Sequence, residues 1–123
     1  MRLAVAALVA LSACSAPRVA DYADVGTTAV FLSQGYVELN PVIAAAGDAA
    51  PIAALGLKIM ARTVIDQIKD EEQRETMHVY ADAVSWVAAC SNIVLITTGA
   101  ASLPLGIACG IASLVHANKQ GEE

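Results

Sequence analysis

The sequence predicts an all-α fold, a small bundle of about four apolar helices associated with a membrane, and three observations carry that reading. The 123 residues are 57% hydrophobic and 15% charged, with a mean hydropathy of +0.59, whereas roughly 25% of an average soluble domain is charged. One Phe, one Trp and three Tyr leave few bulky fillers for an aqueous core, while Ala- and Gly-rich faces suit packing between membrane helices. From Ala83 to Ala117 no residue is charged when His116 is neutral. The length allows one domain. A net charge of -5 with no basic patch excludes a generic attraction to nucleic acid.

The first fourteen residues read as a signal segment. Met1-Arg2 followed by the apolar run Leu3 to Leu11 has the positive start and short hydrophobic stretch of a secretory signal, and falls short of the roughly 20 residues that a span needs. The run closes as Leu11-Ser12-Ala13-Cys14, which resembles the lipobox of bacterial lipoproteins. That resemblance implies that Cys14 is lipidated on sulfur and becomes the new N-terminus, which would place the protein in the bacterial cell envelope. Residues 15–20 then form a tether, residues 21–118 the helical domain, and residues 119–123 a polar tail.

The first helix of the domain is expected from Asp21 to about Leu39 or Asn40, because Pro41 pushes the preceding residue out of the helical region. Within it Asp24, Thr28, Phe31, Gly35 and Glu38 recur at helical spacing and share one stripe. The pattern Asp24-x-x-Thr27-Thr28, Gly35-x-x-Glu38-x-Asn40-Pro41, followed by an apolar segment carrying Lys58, resembles a family of small uncharacterised bacterial membrane proteins with about four apolar helices. The resemblance covers roughly the first half of the mature chain and implies a membrane helical fold, with no activity to carry over.

Gly47-Asp48 marks a turn, and Pro51 suits the first turn of a second, amphipathic helix reaching about Ile68. The charged segment Asp66 to Glu75 contains neither Gly nor Pro; a turn near Glu71 is preferred over one continuous helix. The uncharged run is too long for one span, and Thr98 to Pro104 breaks it into a hairpin of Met77–Thr98 and about Ser102–Asn118. Cys90 and Cys109 lie almost symmetrically about that break. Antiparallel helices bring them to one level, so a disulfide is open to them, although two small buried thiols are the preferred reading.

Candidate chemistry is sparse. On one continuous helix Asp24 and Glu38 would stand about 21 Å apart along the axis, which excludes them as an acid/base pair; each reads as an end-cap or an interfacial anchor, with Lys58 or Arg62 as a counter-charge for Glu38. Glu71, Glu75, His78 and Asp82 form a second stripe, in which His78 and Asp82 at i, i+4 offer two metal ligands but no third. Tyr80 and Trp86 fit an interfacial aromatic belt, and Ser91 and Asn92 fit hydrogen bonding between helices. There is no phosphate loop, Gly-x-Ser-x-Gly elbow, Cys-x-x-Cys or repeat. No cofactor or metal is assigned. The expected role is structural or interactive, with membrane lipid and a protein partner or second copy as its contacts, through small-residue faces of the first and last helices. A holin-like channel, and a membrane-embedded ion or enzyme site using Asp24, Glu38, Lys58 and His78, are the alternatives.

Overall fold

Helix boundaries in this chain are set by side-chain caps and by three glycines with positive φ. A computed structural model describes residues 15–120; the signal and lipobox segment with Cys14, and residues 121–123, lie outside the described residues. The described chain is all-helical: α1 (Val19–Ser33), α2 (Pro41–Ala44), a 3-10 turn (Gly47–Ala49), α3 (Ala50–Asp66), α4 (Glu71–Thr98) and α5 (Leu103–Gln120). Helix α4 is the spine, with α5 and α1 packed along it and α3 held mainly against α1.

Helix α1 starts where Asp21 reaches back to the Arg18 N–H at 2.9 Å. It stops at Ser33, short of the end expected near Asn40, because Gly35 takes a φ of +86° that only glycine adopts freely. The Tyr36 ring then stacks on Phe31 with centroids 5.1 Å apart. The chain therefore folds back, and Gly35 and Glu38 leave the stripe that the sequence placed on one helix. The Asn40-Pro41 signal marks a start rather than an end: Asn40 Oδ1 accepts the Val42 N–H at 3.0 Å and Pro41 opens α2.

The charged segment turns at residues 67–70 without a breaker. Asp70 supplies the N-cap, accepting the Gln73 N–H at 2.8 Å, and Glu71 and Glu72 occupy the first turn of α4 where the helix dipole favours acids. At its far end Gly99 closes α4 with a φ of +70°. The expected tether is instead fixed: Ser15 donates its N–H to Thr63 Oγ1 at 3.0 Å and its hydroxyl to Asp66, and Val19 and Ala20 already belong to α1. Lys119 and Gln120, expected in the tail, continue α5.

The α4–α5 hairpin is packed through glycine. Gly106 and Gly110 are buried against Ser91 and Val87; a Cβ on Gly110 would come within 2.7 Å of the Val87 Cα. This small-xxx-small spacing lets two backbones approach closely. One turn away Cys90 and Cys109 form a disulfide with Cα atoms 5.8 Å apart, in place of the two thiols that the sequence reading preferred. The bridge closes a loop of sequence separation 19, a constraint on the unfolded chain of about 3 kcal/mol.

The interior is built largely from small and polar side chains. Arg62, Asp21 and Ser85 are the largest fully buried side chains, and the buried hydrophobic set is mostly Ala20, Ala50, Ala54, Ala89 and Cys90, with Phe31 and Ile65. The large aliphatic residues point outward on every long helix: Val19 and Val30 on α1, Ile52, Met60 and Val64 on α3, Val84 on α4, Leu103 and Ile111 on α5.

Two glycine substitutions separate these roles. Gly110→Ala should destabilise the fold by about 1–3 kcal/mol, because the added methyl meets α4 backbone that cannot move aside. Gly26→Ala, in the interior of α1 with open space around it, should instead stabilise by about 0.5–1 kcal/mol. Denaturant unfolding in mild detergent, followed by far-ultraviolet circular dichroism, reads both.

Candidate functional site

Two acids three residues apart on α1 and two bases four residues apart on α3 face one another across the bundle. Asp21 and Asp24 lie on one side of α1, Lys58 and Arg62 on one side of α3. The pairs match in register. Arg62 takes Asp21 in a two-pronged contact, Nε to Oδ2 at 2.9 Å and Nη2 to Oδ1 at 3.0 Å, and Lys58 Nζ meets Asp24 Oδ2 at 2.6 Å. Helix α4 completes both: Ser85 donates to Asp21 Oδ1 at 2.9 Å and accepts from Lys58 Nζ at 2.8 Å.

Every N–H of the Arg62 guanidinium is used. Beyond Asp21, Nη2 donates to Asp82, and Nη1 donates to the His78 carbonyl at 3.1 Å and meets His78 Nδ1 at 3.2 Å. Since arginine only donates, His78 Nδ1 must accept, which assigns the ring proton to Nε2; that nitrogen donates to Asp66 Oδ1 at 2.7 Å. His78 and Asp82, whose spacing offered two ligands but no third for a metal, thus converge on a resident cation. Asp82 also takes Arg18 at 3.2 Å, and Glu75 of the same stripe lies 3.5 Å from Arg18. No group of three or more His, Cys, Asp or Glu side chains able to hold a metal occurs among the described residues. Among them, too, every buried side-chain nitrogen and oxygen has a hydrogen-bond partner.

Asp66 ends α3 at the charged turn, half-exposed. Hydrogen bonds from Ser15 and then from His78 hold its carboxyl below the ordinary carboxylate range.

On the other side of the Lys58–Asp24 pair the bundle opens into a cavity of about 390 Å³. It is lined from α1, α2, α3, α4 and the segment that carries Glu38 and Asn40. Its polar wall is Asp24, Thr28, Glu38, Asn40, Lys58 and Asn92, and its apolar wall includes Ile43, Leu57, Val84 and Ala88. Asp24, Thr28, Glu38, Asn40 and Lys58, each noted in the sequence, therefore meet in one cavity with Asn92, while His78 and Asp82 belong to the Arg62 cluster. The separation of Asp24 from Glu38 expected on one helix is abolished by the turn at Gly35, which returns Glu38 to the cavity that Asp24 lines. Lys58 and Arg62, expected as counter-charges for Glu38, are engaged by Asp24, Asp21 and Asp82; the Glu38 carboxylate accepts the Asn40 N–H at 2.8 Å. Asn92 does bridge helices, donating to Thr27 and Thr28 hydroxyls at 3.2 and 3.1 Å.

Sequence reading did not give Asp21, Ser85 and the Arg62 hub their due. The signal was there: acids at i, i+3 on one apolar helix, bases at i, i+4 on another, and His78, Asp82 and Ser85 at helical spacing on a third. No family model, curated protein or solved structure matches the chain, so these side chains carry the functional argument.

Removing the hub should be costly and its cost should depend on the partners left behind. Arg62→Met leaves buried Asp21 without a counter-charge and Asp82 with Arg18 alone, with an expected loss of about 3–5 kcal/mol. Adding Asp21→Asn and Asp82→Asn should recover part of that loss, since no unpaired charge then stays buried; equilibrium unfolding of the single and triple variants measures the difference. Asp66 contributes in the opposite direction of pH from a base: its lowered carboxyl stabilises above roughly pH 4, the unfolded value, and that contribution is lost as pH falls through the lower folded value. The stability difference between the unaltered protein and Asp66→Asn should accordingly shrink on acidification, in a denaturant series taken from pH 6 to pH 2.

Proposed function

We propose that this chain is a small bacterial envelope protein, lipidated at Cys14 and embedded through the apolar exterior of its helices, with a structural or interaction role and no catalysis. One observation carries the reading: charge is inside and aliphatic surface outside. The most apolar eighteen-residue window of α4 has a mean hydropathy of 1.6, yet only 17% of it is buried within the protein. A core helix of a water-soluble protein would be mostly covered. Helix α4 is the one described helix long and apolar enough to cross a membrane, and α5, stapled to it, carries Leu103, Leu105, Ile107, Ile111 and Val115 on its open side.

In hydrocarbon a polar group gains nothing from water, so ion pairs belong inside the bundle and aliphatic residues outside. Exposed charges gather at the other extreme, on the α3–α4 turn with Lys69, Asp70, Glu71 and Glu72, where water is available. The Cys90–Cys109 bridge supports an oxidising compartment, which is where such bonds persist, and an exported lipoprotein resides in one. The closed Arg62 network suits a fixed structural element better than a conducting path, so the channel reading is the weaker alternative.

Intact mass after extraction from a bacterial host tests the anchoring directly. A species beginning at Cys14 with added acyl mass, retained in the membrane fraction through a carbonate wash, is expected. A chain that starts at Met1, or one released by carbonate, overturns the corresponding half of the proposal. Cys90 and Cys109 should resist alkylation until reduced.

A further inference from the structure

We infer that the cavity between α3 and α4 binds an amphiphilic primary amine, its ammonium group at Glu38 and Asp24 and its apolar body in the adjoining pocket. The charge balance points to a cation. Two carboxylates, Asp24 and Glu38, face one ammonium, Lys58, and that ammonium is already committed to Asp24 at 2.6 Å and Ser85 at 2.8 Å. Glu38 has no ion-pair partner among the described residues; it accepts one backbone N–H. An anion entering here would meet carboxylates with no uncommitted cation to receive it.

The shape points to an amphiphile. Glu38 and Asn92 line both this cavity and a second pocket of about 250 Å³, whose other walls include Phe31, Leu39, Leu95 and Leu103. The cavity that holds the carboxylates and a more apolar pocket thus share a wall, and the shared wall carries the Glu38 carboxylate. An ammonium group needs three acceptors. The Glu38 and Asp24 carboxylates supply two, and the Asn92 amide, whose nitrogen is spent on Thr27 and Thr28, offers its oxygen as the third. Charge-assisted bonds of this kind, in a site walled by aliphatic side chains, are stronger than the same bonds in water. The inference adds a ligand to the envelope reading and does not require Cys14 to be acylated, so the two can fail separately.

Full-length protein in maltoside micelles is titrated with decylamine at neutral pH, with decyl sulfate and decanol as matched controls, following the midpoint of thermal unfolding. A saturable rise for decylamine alone is expected. Glu38→Gln, in a half-exposed loop outside the Arg62 network, should shift half-saturation by about tenfold or more, and Ala88→Leu, which fills the cavity from α4 without touching an ion pair, should abolish the response. An equal response to decanol or decyl sulfate, or the same half-saturation in folded Glu38→Gln and Ala88→Leu, overturns the proposal. Native mass spectrometry of protein released from nanodiscs of phosphatidylethanolamine and phosphatidylglycerol separates the sources. Phosphatidylethanolamine retained by the unaltered protein and lost in Glu38→Gln identifies the amine as a membrane lipid; decylamine binding without retained lipid identifies a free amine.

Discussion

Burial of the Arg62 guanidinium is the constraint on which the bundle depends. Taking such an ion out of water costs several kcal/mol, and the cost is offset only when all of its donors find acceptors in fixed places. Here those acceptors come from α1 through Asp21 and from α4 through Asp82 and His78. Three helices therefore meet in a single register. A slip of one turn in any of them would leave a buried charge without a partner, a far larger penalty than the loss of an alanine contact. Alanine-rich faces specify position poorly by shape alone, so the polar hub supplies the specificity that the small apolar core lacks.

Helix α4 joins two halves built on different physics. Toward α5 the cohesion comes from close backbone approach at Gly106 and Gly110 and from a covalent bond. Toward α1 and α3 it comes from ion pairs and hydrogen bonds. The cavity sits in the second half, where Lys58 reaches across to α4 only through Ser85. Its content of charge follows from the turn at Gly35: a helix continued to Asn40 would have carried Glu38 away from Asp24, and the site would not exist.

The all-helical class and the α4–α5 break were legible because each rests on a local signal, an uncharged run and Gly99 with Pro104; the turn in the charged segment was expected near Glu71, but the Asp70 cap that sets it was not read. The end of α1 was not legible, because Asn40-Pro41 serves equally to end one helix and to begin another, and local pattern does not show that Gly35 takes a positive φ with Tyr36 stacked on Phe31. The six polar residues of the cavity were individually visible; their convergence was not, since it depends on that same turn. The disulfide was visible as a symmetry of position about the break, while its formation depends on how closely the glycines let the two helices approach. Arg62 was read as a counter-charge for Glu38 on an amphipathic helix because its actual carboxylate partners lie 41 and 20 residues away in sequence.

The glycine pair of α5 has a consequence for assembly. Spacing of this kind on an apolar helix is a common dimerisation motif, since the groove it leaves admits a second helix. In this chain Ser91 and Val87 already fill that groove, and Cys90 locks the arrangement covalently. The recognition surface has been consumed in cis. What α5 still presents outward is Leu105, Ile107, Ile111 and Val115 with the small Ala108 and Ala112 between them, so a second helix packing on α5 would have to use that face and not the glycines.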